Sequence, residues 1–189
     1  MSQLSESKGI ILSSRNYKEK DKLVKIFTES AGEMMFYVKG IHRQNQPLAP
    51  ALLPFTEATY IGTFKNEGLS FITSVKDVHA FRHIQEDIFL SGYGTYLLNL
   101  VDAAIEDHQY DPHLFHFTQL ALNRMDQGDD AEIITNIFEV QLLQRFGIAP
   151  IWTHCVVCGE TQGKFDYSSK YGGVICEKHW DICLLYTSD

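Results

Sequence analysis

The feature that most restricts this chain is a pair of short ligand motifs near its end: Cys155-Val156-Val157-Cys158 and, after seventeen intervening residues, Cys176-Glu177-Lys178-His179. Zn²⁺ takes four thiolate or imidazole ligands in a tetrahedron, and a turn with ligands three positions apart presents two of them at a suitable bite. Two such turns therefore close one site. Gly159 and the Gly172-Gly173 pair supply residues that tolerate positive φ and let backbone amides approach the thiolates. With Cys155, Cys158, Cys176 and His179 engaged, no position is left for water or substrate, so the spacing predicts a structural zinc ion rather than a catalytic one.

A chain of 189 residues with 44% hydrophobic and 21% charged residues is ordinary for a globular protein of one or two domains. Met1 to Lys8 contains no apolar signal core, and no apolar run is long enough to span a bilayer. Three of the four cysteines fall in the metal pattern, leaving no disulfide framework. Together these features predict a cytoplasmic protein.

The net charge of −8 argues at first against a nucleic-acid partner, but the charge is unevenly placed. Lys and Arg against Asp and Glu number ten to eight over residues 1–80, three to eleven over 81–150, and three to five over 151–189. The balances are +2, −8 and −2. A mildly basic front joined to a strongly acidic middle predicts modules with different partners.

Residues 1–80 read as five short strands, at Gly9 to Ser14, Leu23 to Thr28, Met34 to Lys39, Phe55 to Phe64 and Leu69 to Val78. Alternation separates Met34, Phe36 and Val38 from Met35, Tyr37 and Lys39, and Leu69, Phe71, Thr73 and Val75 from Ser70, Ile72 and Ser74. Five strands in this length predict a small barrel, and the OB-fold is the common version that binds single-stranded nucleic acid. Arg15, Lys18, Lys20, Lys22 and Lys25 fall within eleven residues, with Lys39, His42 and Arg43 at the next strand end. Alternation would set Lys18, Lys20 and Lys22 on one strand face. Tyr17, Tyr37 and Tyr60 are candidate stacking platforms for bases, whereas Phe27, Phe36 and Phe71 read as core.

Residues 81–150 change to a helical period: Ile84, Ile88, Tyr93, Leu97, Leu100, Val101, Ala104 and Ile105 recur at steps of three and four. A second helix runs from about Pro112 to Met125, with Asp111 as its cap and Pro112 at its first position. The third covers about Ala131 to Phe146, closed by Gly147 and Pro150. His108, His113 and His116 read as surface histidines. No hydrolase elbow, phosphate loop, zinc-protease pair or dinucleotide loop occurs, and no histidine begins the H-x-E of a zinc deaminase. The chain therefore reads as a non-enzyme of α+β class, with a barrel at 1–80, a helical bundle at 81–150 and a zinc module at 151–180.

The run from Gly9 to Gly32, with Arg15, Tyr17, Glu19, Asp21, Leu23, Val24, Phe27 and Thr28 within it and Lys39-Gly40 beyond, resembles the opening signature of RecO, the bacterial recombination mediator. Phe138-Glu139, Leu142-Leu143, Gly147, Pro150 and the Cys155 to Gly159 turn are similar to that family's last helix entering its zinc module, and Phe165 through Gly173 fits the approach to Cys176. The likeness spans residues 4–180. It implies an OB-fold and nearby basic surface that bind single- and double-stranded DNA and anneal complementary strands without nucleotide hydrolysis. It further implies engagement of the acidic, Phe-ended tail of single-stranded DNA-binding protein, association with RecR and help in RecA loading. The basic positions matching the opening signature are Arg15 and Lys39 and, more loosely, Lys18, Lys20, Lys22, Lys25 and Arg43. For the acidic tail, charge logic selects Arg124 and Arg145 and predicts a cationic, apolar-lined pocket in the helical part. The family's fourth metal ligand is often Cys, so Cys183 and His154 compete with His179. From about Asp181 the likeness stops, and residues 181–189 read as a truncated or foreign tail.

Overall fold

A computed structural model describes residues 4–41, 46–65, 68–105 and 109–180. Five strands, β1 (Ser5–Tyr17), β2 (Asp21–Thr28), β3 (Gly32–Val38), β4 (Thr56–Thr63) and β5 (Ser70–Ala80), close a barrel in the order β1-β2-β3-β5-β4. β1 pairs with both β2 and β4, and a short parallel pairing of β3 with β5, Phe36 opposite Ser70 and Tyr37 opposite Phe71, completes the ring. This is the OB-type arrangement, in which closure removes the sheet edges.

Strand periodicity explains the interior. Val24 and Ile26 on β2 and Met34, Phe36 and Val38 on β3 point inward at every second position and join Ile11, Tyr60 and Ile72 in one buried cluster. The alternate residues of β2 are not released to solvent. Phe27 is fully buried and meets Phe115 of the helical part edge to face, with ring centroids 5.5 Å apart.

Helices α1 (Arg82–Glu86), α2 (Ile88–Ala104), α3 (Pro112–Asp126) and α4 (Ala131–Leu142) follow. The single helix expected after residue 81 is divided at Asp87, whose carboxylate accepts from the N–H groups of Phe89 and Leu90 and so caps α2. Asp111 caps α3 through Leu114 N–H, with Pro112 in the first position. Asp130 caps α4 through Glu132 and Ile133. α4 ends at Leu142 rather than near Phe146, and turns follow it to Gly147. The chain divides into two compact units, Met1–Phe138 and Glu139–Asp189. The second contains the hairpin of β6 (Phe165–Ser168) and β7 (Gly173–Cys176) and a short 3-10 turn, Glu177–His179. Among the described residues no helix is long and apolar enough to cross a membrane.

Candidate functional site

In the second unit the two ligand turns converge. The first is closed by Gly159, which adopts φ +78° and donates its N–H to the Cys155 carbonyl at 2.8 Å; a side chain would be strained in that conformation. The second begins where β7 ends, at Cys176, and the 3-10 turn carries His179 back toward it. Gly173 permits their approach, since a Cβ there would lie 2.6 Å from the Val156 side chain and 2.7 Å from the Ile151 carbonyl oxygen. Ile175 and the two buried cysteines form a small core with Val156, Phe165 and Trp180 against it.

The ligand atoms of Cys155, Cys158, Cys176 and His179 all lie within 4.8 Å of one another. Tetrahedral zinc, with bonds of about 2.3 Å to sulfur and about 2.0 Å to nitrogen, separates neighbouring ligands by roughly 3.8 Å for two sulfurs and roughly 3.5 Å for sulfur and nitrogen. The Cys158 and Cys176 sulfurs are 3.8 Å apart, and His179 Nδ1 is 3.6 Å from Cys155 Sγ and 3.3 Å from Cys176 Sγ. The donor set and spacing fit a four-ligand metal site. Burial pushes the Cys155 thiol up, but N–H groups of Cys176, Cys158 and Val157, with the Cys158 thiol, outweigh it and hold the pKa at about 6. Burial also raises Cys176, reinforced by its two neighbouring thiols. His154 is outside the cluster and instead meets Thr153 Oγ1 at 2.9 Å. Cys183 lies outside the described residues.

The basic positions of the front half separate into two environments. Lys18, Glu19 and Lys20 form the turn between β1 and β2, with Lys18 at φ +56°, so the single strand face expected for Lys18, Lys20 and Lys22 does not exist. Arg15, Lys18, Lys20 and Lys39 are exposed, and Lys22 is half-buried opposite Asn16 and Val38. Asp21 sits among them. Its carboxyl is held below the usual carboxylate range first by the Tyr37 phenol and then by Gly40 N–H, against some burial, with Lys18 and Lys39 adding positive charge nearby. The hairpin turn and the end of β3 thus share one basic edge. Arg43 and His42 lie outside the described residues.

Lys25 belongs elsewhere. It shares the outward face of β2 with Leu23 and Phe27, and its ammonium bridges Glu33 and Asp102 of α2, each at 2.8 Å. Its charge is thereby matched by two carboxylates. Tyr60 is no stacking platform, because it is fully buried and its hydroxyl donates to the Ala51 carbonyl at 2.6 Å. Phe71 reverses the other way: expected in the core, it is 39% exposed, while Phe27 and Phe36 are buried. Phe71 lies 5.9 Å from Tyr37, and Tyr37 lies 6.0 Å from Tyr17, both edge to face. The sequence signal for Phe71 was the alternation of β5, which defined its face but not which face was outside.

In the helical part, Phe117, Leu120, Ala121, Ile133, Ile134 and Ile137 line a groove of about 440 Å³ between α3 and α4, with Arg124 at its rim. Arg124 pairs with Asp129 at 3.1 Å, and Asp130 also lines the groove, so the groove is apolar as expected but carries no excess of positive charge. Arg145 is exposed in the turns after α4, in the second unit. His116 pairs with Glu29 at 3.2 Å, and among the described residues the Cys155 cluster is the one group with metal-ligand geometry.

Comparison with known families and proteins matches both parts of the chain. The profile described as Recombination protein O N terminal covers residues 1–81, and that described as Recombination protein O C terminal covers residues 85–184. The DNA repair protein RecO of Enterococcus faecalis is 68% identical over 179 residues, which span 95% of this chain and 68% of that protein. The DNA repair proteins RecO of Ligilactobacillus salivarius and Lactococcus lactis subsp. lactis are 48% and 47% identical, each over 177 residues. These matches span 93% of this chain and 68% of the first protein, and 94% and 70% for the second.

Proposed function

The chain belongs to the RecO family of DNA repair proteins, and from that membership we propose that it is a non-catalytic recombination mediator that binds single- and double-stranded DNA and anneals complementary strands. The observation that carries this reading is the basic edge of the barrel, where Arg15, Lys18, Lys20, Lys22 and Lys39 surround the β1–β2 turn and the end of β3. Lys and Arg there neutralise phosphates on either kind of strand, and the counterions they displace make affinity fall with salt. Charge reversal at Arg15, Lys20 and Lys22 tests it. In a fluorescence titration with duplex DNA, the slope of log affinity against log salt should flatten by about 0.9 for each phosphate no longer neutralised. Binding that ignores salt would overturn the reading.

The mediator works in the bacterial cytoplasm at the nucleoid, with RecR and single-stranded DNA-binding protein, and assists RecA loading. The acidic, Phe-ended tail of single-stranded DNA-binding protein inserts its ring into the groove between α3 and α4 and sets its carboxylates against Arg124. Arg145 is the second candidate cation for that tail. Cys155, Cys158, Cys176 and His179 hold a structural Zn²⁺, which when bound cross-links the two turns. A second reading rests on the acidic balance of residues 81–150: an adaptor that binds a basic protein through its helices and uses the barrel as scaffold. The same charge reversal separates the two, because it abolishes DNA retention in the first case and leaves partner pull-down intact in both.

A further inference from the structure

The described cysteines of the second unit differ in access. Cys155 and Cys176 are buried, at 0% and 3% exposure, whereas Cys158 is exposed. Cys158 stands in its turn between Val157, itself exposed, and Gly159, where an added Cβ would meet nothing within 4 Å. Small molecules in solvent therefore reach the Cys158 sulfur of this cluster and not the other two. Beside it lies a second thiol, since Cys176 Sγ is 3.8 Å away. A disulfide bond is about 2.05 Å long, so joining the two sulfurs takes a closure of roughly 1.8 Å. A sulfur that ligates a metal does so as the thiolate, the form that reacts with peroxide. An accessible thiolate with a resolving thiol beside it is the arrangement that oxidants select.

On the basis of the zinc reading of this cluster, we propose that Cys158 is a peroxide-sensitive modification site whose oxidised sulfur is captured by Cys176 in a disulfide that releases the zinc. The Cys158 thiolate attacks hydrogen peroxide: an S–O bond forms, the O–O bond breaks, and the second oxygen leaves as hydroxide. The Cys176 thiolate then attacks the Cys158 sulfur, so that the S–S bond forms, the S–O bond breaks and a second hydroxide leaves. Two protons from solvent turn the hydroxides into water, and the two sulfurs together have given two electrons to the peroxide. Cys155 and His179 then remain as ligands, short of the four that structural zinc requires. Cys176 also belongs to the small core with Cys155 and Ile175, so drawing its sulfur toward Cys158 disturbs that core in the same step.

Hydrogen peroxide added to the zinc-loaded whole chain tests this, with zinc release followed by a chromogenic chelator and the thiols mapped by mass spectrometry. Trypsin cuts after Arg145, Lys164, Lys170 and Lys178, so the proposed bond joins the peptides of residues 146–164 and 171–178. A Cys155–Cys158 bond stays within the first of these, and Cys183 falls in a third. Dimedone present during oxidation is expected to label Cys158, and the joined peptides should appear in step with zinc release, one ion for each bond. A dithiol reductant with added zinc should reverse both changes. Cys158→His offers a ligand that forms no disulfide, so it should keep its zinc under peroxide and yield no joined peptides; if that variant binds no zinc, the wild-type mapping decides. Dimedone on Cys155 or Cys176, or zinc release with the bond confined to residues 146–164, overturns the assignment of the two sulfurs. Zinc retained while free glutathione in the same sample is oxidised overturns the site and leaves the zinc reading standing. A reduced chain that holds no zinc overturns the zinc reading and the release step with it.

Discussion

At the level of single residues, Lys25 and Lys20 show how one basic run serves two purposes. Lys20 is exposed in a turn, while Lys25 sits between Glu33, which is almost wholly buried, and Asp102. Burial works against the Lys25 ammonium, but hydrogen bonds to Asp102 and Glu33 outweigh it and raise the pKa. The stabilisation it provides is therefore fully present below the unfolded value of about 10.4 and disappears only as pH rises through the folded one. Lys25→Met leaves Glu33 with less compensation and should lower unfolding free energy by about 2 kcal/mol, less than for a fully enclosed pair because Lys25 is partly solvated. Urea unfolding reads that decrease, and the salt slope of DNA binding should not move. Asp21 gives the opposite sign. Its depressed pKa, set chiefly by Tyr37 and then by Gly40, means that its contribution is present above the unfolded value of about 3.9 and fades as pH falls through the folded one. In an NMR titration the Asp21 carboxyl of Tyr37→Phe should move back up toward 3.8; an unmoved titration would remove the phenol as the main cause.

At the level of elements, an ion pair between Arg124 and Asp129 lines the groove between α3 and α4. Asp129 comes from the loop that joins the two helices, so under the proposed function an acidic peptide would compete with a local carboxylate for the same guanidinium. Asp129→Asn should tighten binding of an acidic, Phe-ended peptide about two- to fivefold, the range of an exposed ion pair, and Arg124→Glu should abolish it. Calorimetric titration checks both, and a weaker Asp129→Asn would mean that Asp129 orders the groove instead of competing. The elements themselves were largely legible because their signals are local: Asp111-Pro112 marks the start of α3, and period-two alternation marks β3. Which face of a strand meets solvent is a tertiary matter. On β5 Phe71, alternating with Ile72, reads from sequence as core, yet Ile72 is buried and Phe71 exposed. A register shift between Ile61 and Gly62, opposite Ser74 and Ile72, explains it: the extra residue on β5 reverses the alternation, so that Ile72 and Val75 both reach the core. Nothing local in the sequence marks that bulge. Tyr60 was misread for a related reason, since its partner Ala51 is brought to it by the fold, and the Asp102 partner of Lys25 is equally invisible to local pattern.

At the level of the whole molecule, the ligand pair at residues 155–179 was readable because metal geometry constrains spacing so tightly, and the other described residues of the second unit offer little to replace it. Among the described residues its buried core is Cys155, Ile175 and Cys176, with Val156, Phe165 and Trp180 partly buried beside it, and its one sheet is a hairpin of two four-residue strands. A hairpin of that size is marginal in water without further support. Metal binding in such modules is folding free energy, with apparent values of about 10–16 kcal/mol for structural zinc. One equivalent of zinc per chain is therefore expected by elemental analysis, and Cys155→Ser should lose it. Hydrogen exchange should then show protection collapsing over residues 151–180 while the β1–β5 amides keep theirs, because the barrel has its own core in the other unit. DNA affinity of the same variant should stay near wild type if the basic edge acts without the metal. Collapse of barrel protection together with the metal would show instead that the two units fold as one, and the zinc would then belong to the DNA-binding architecture itself.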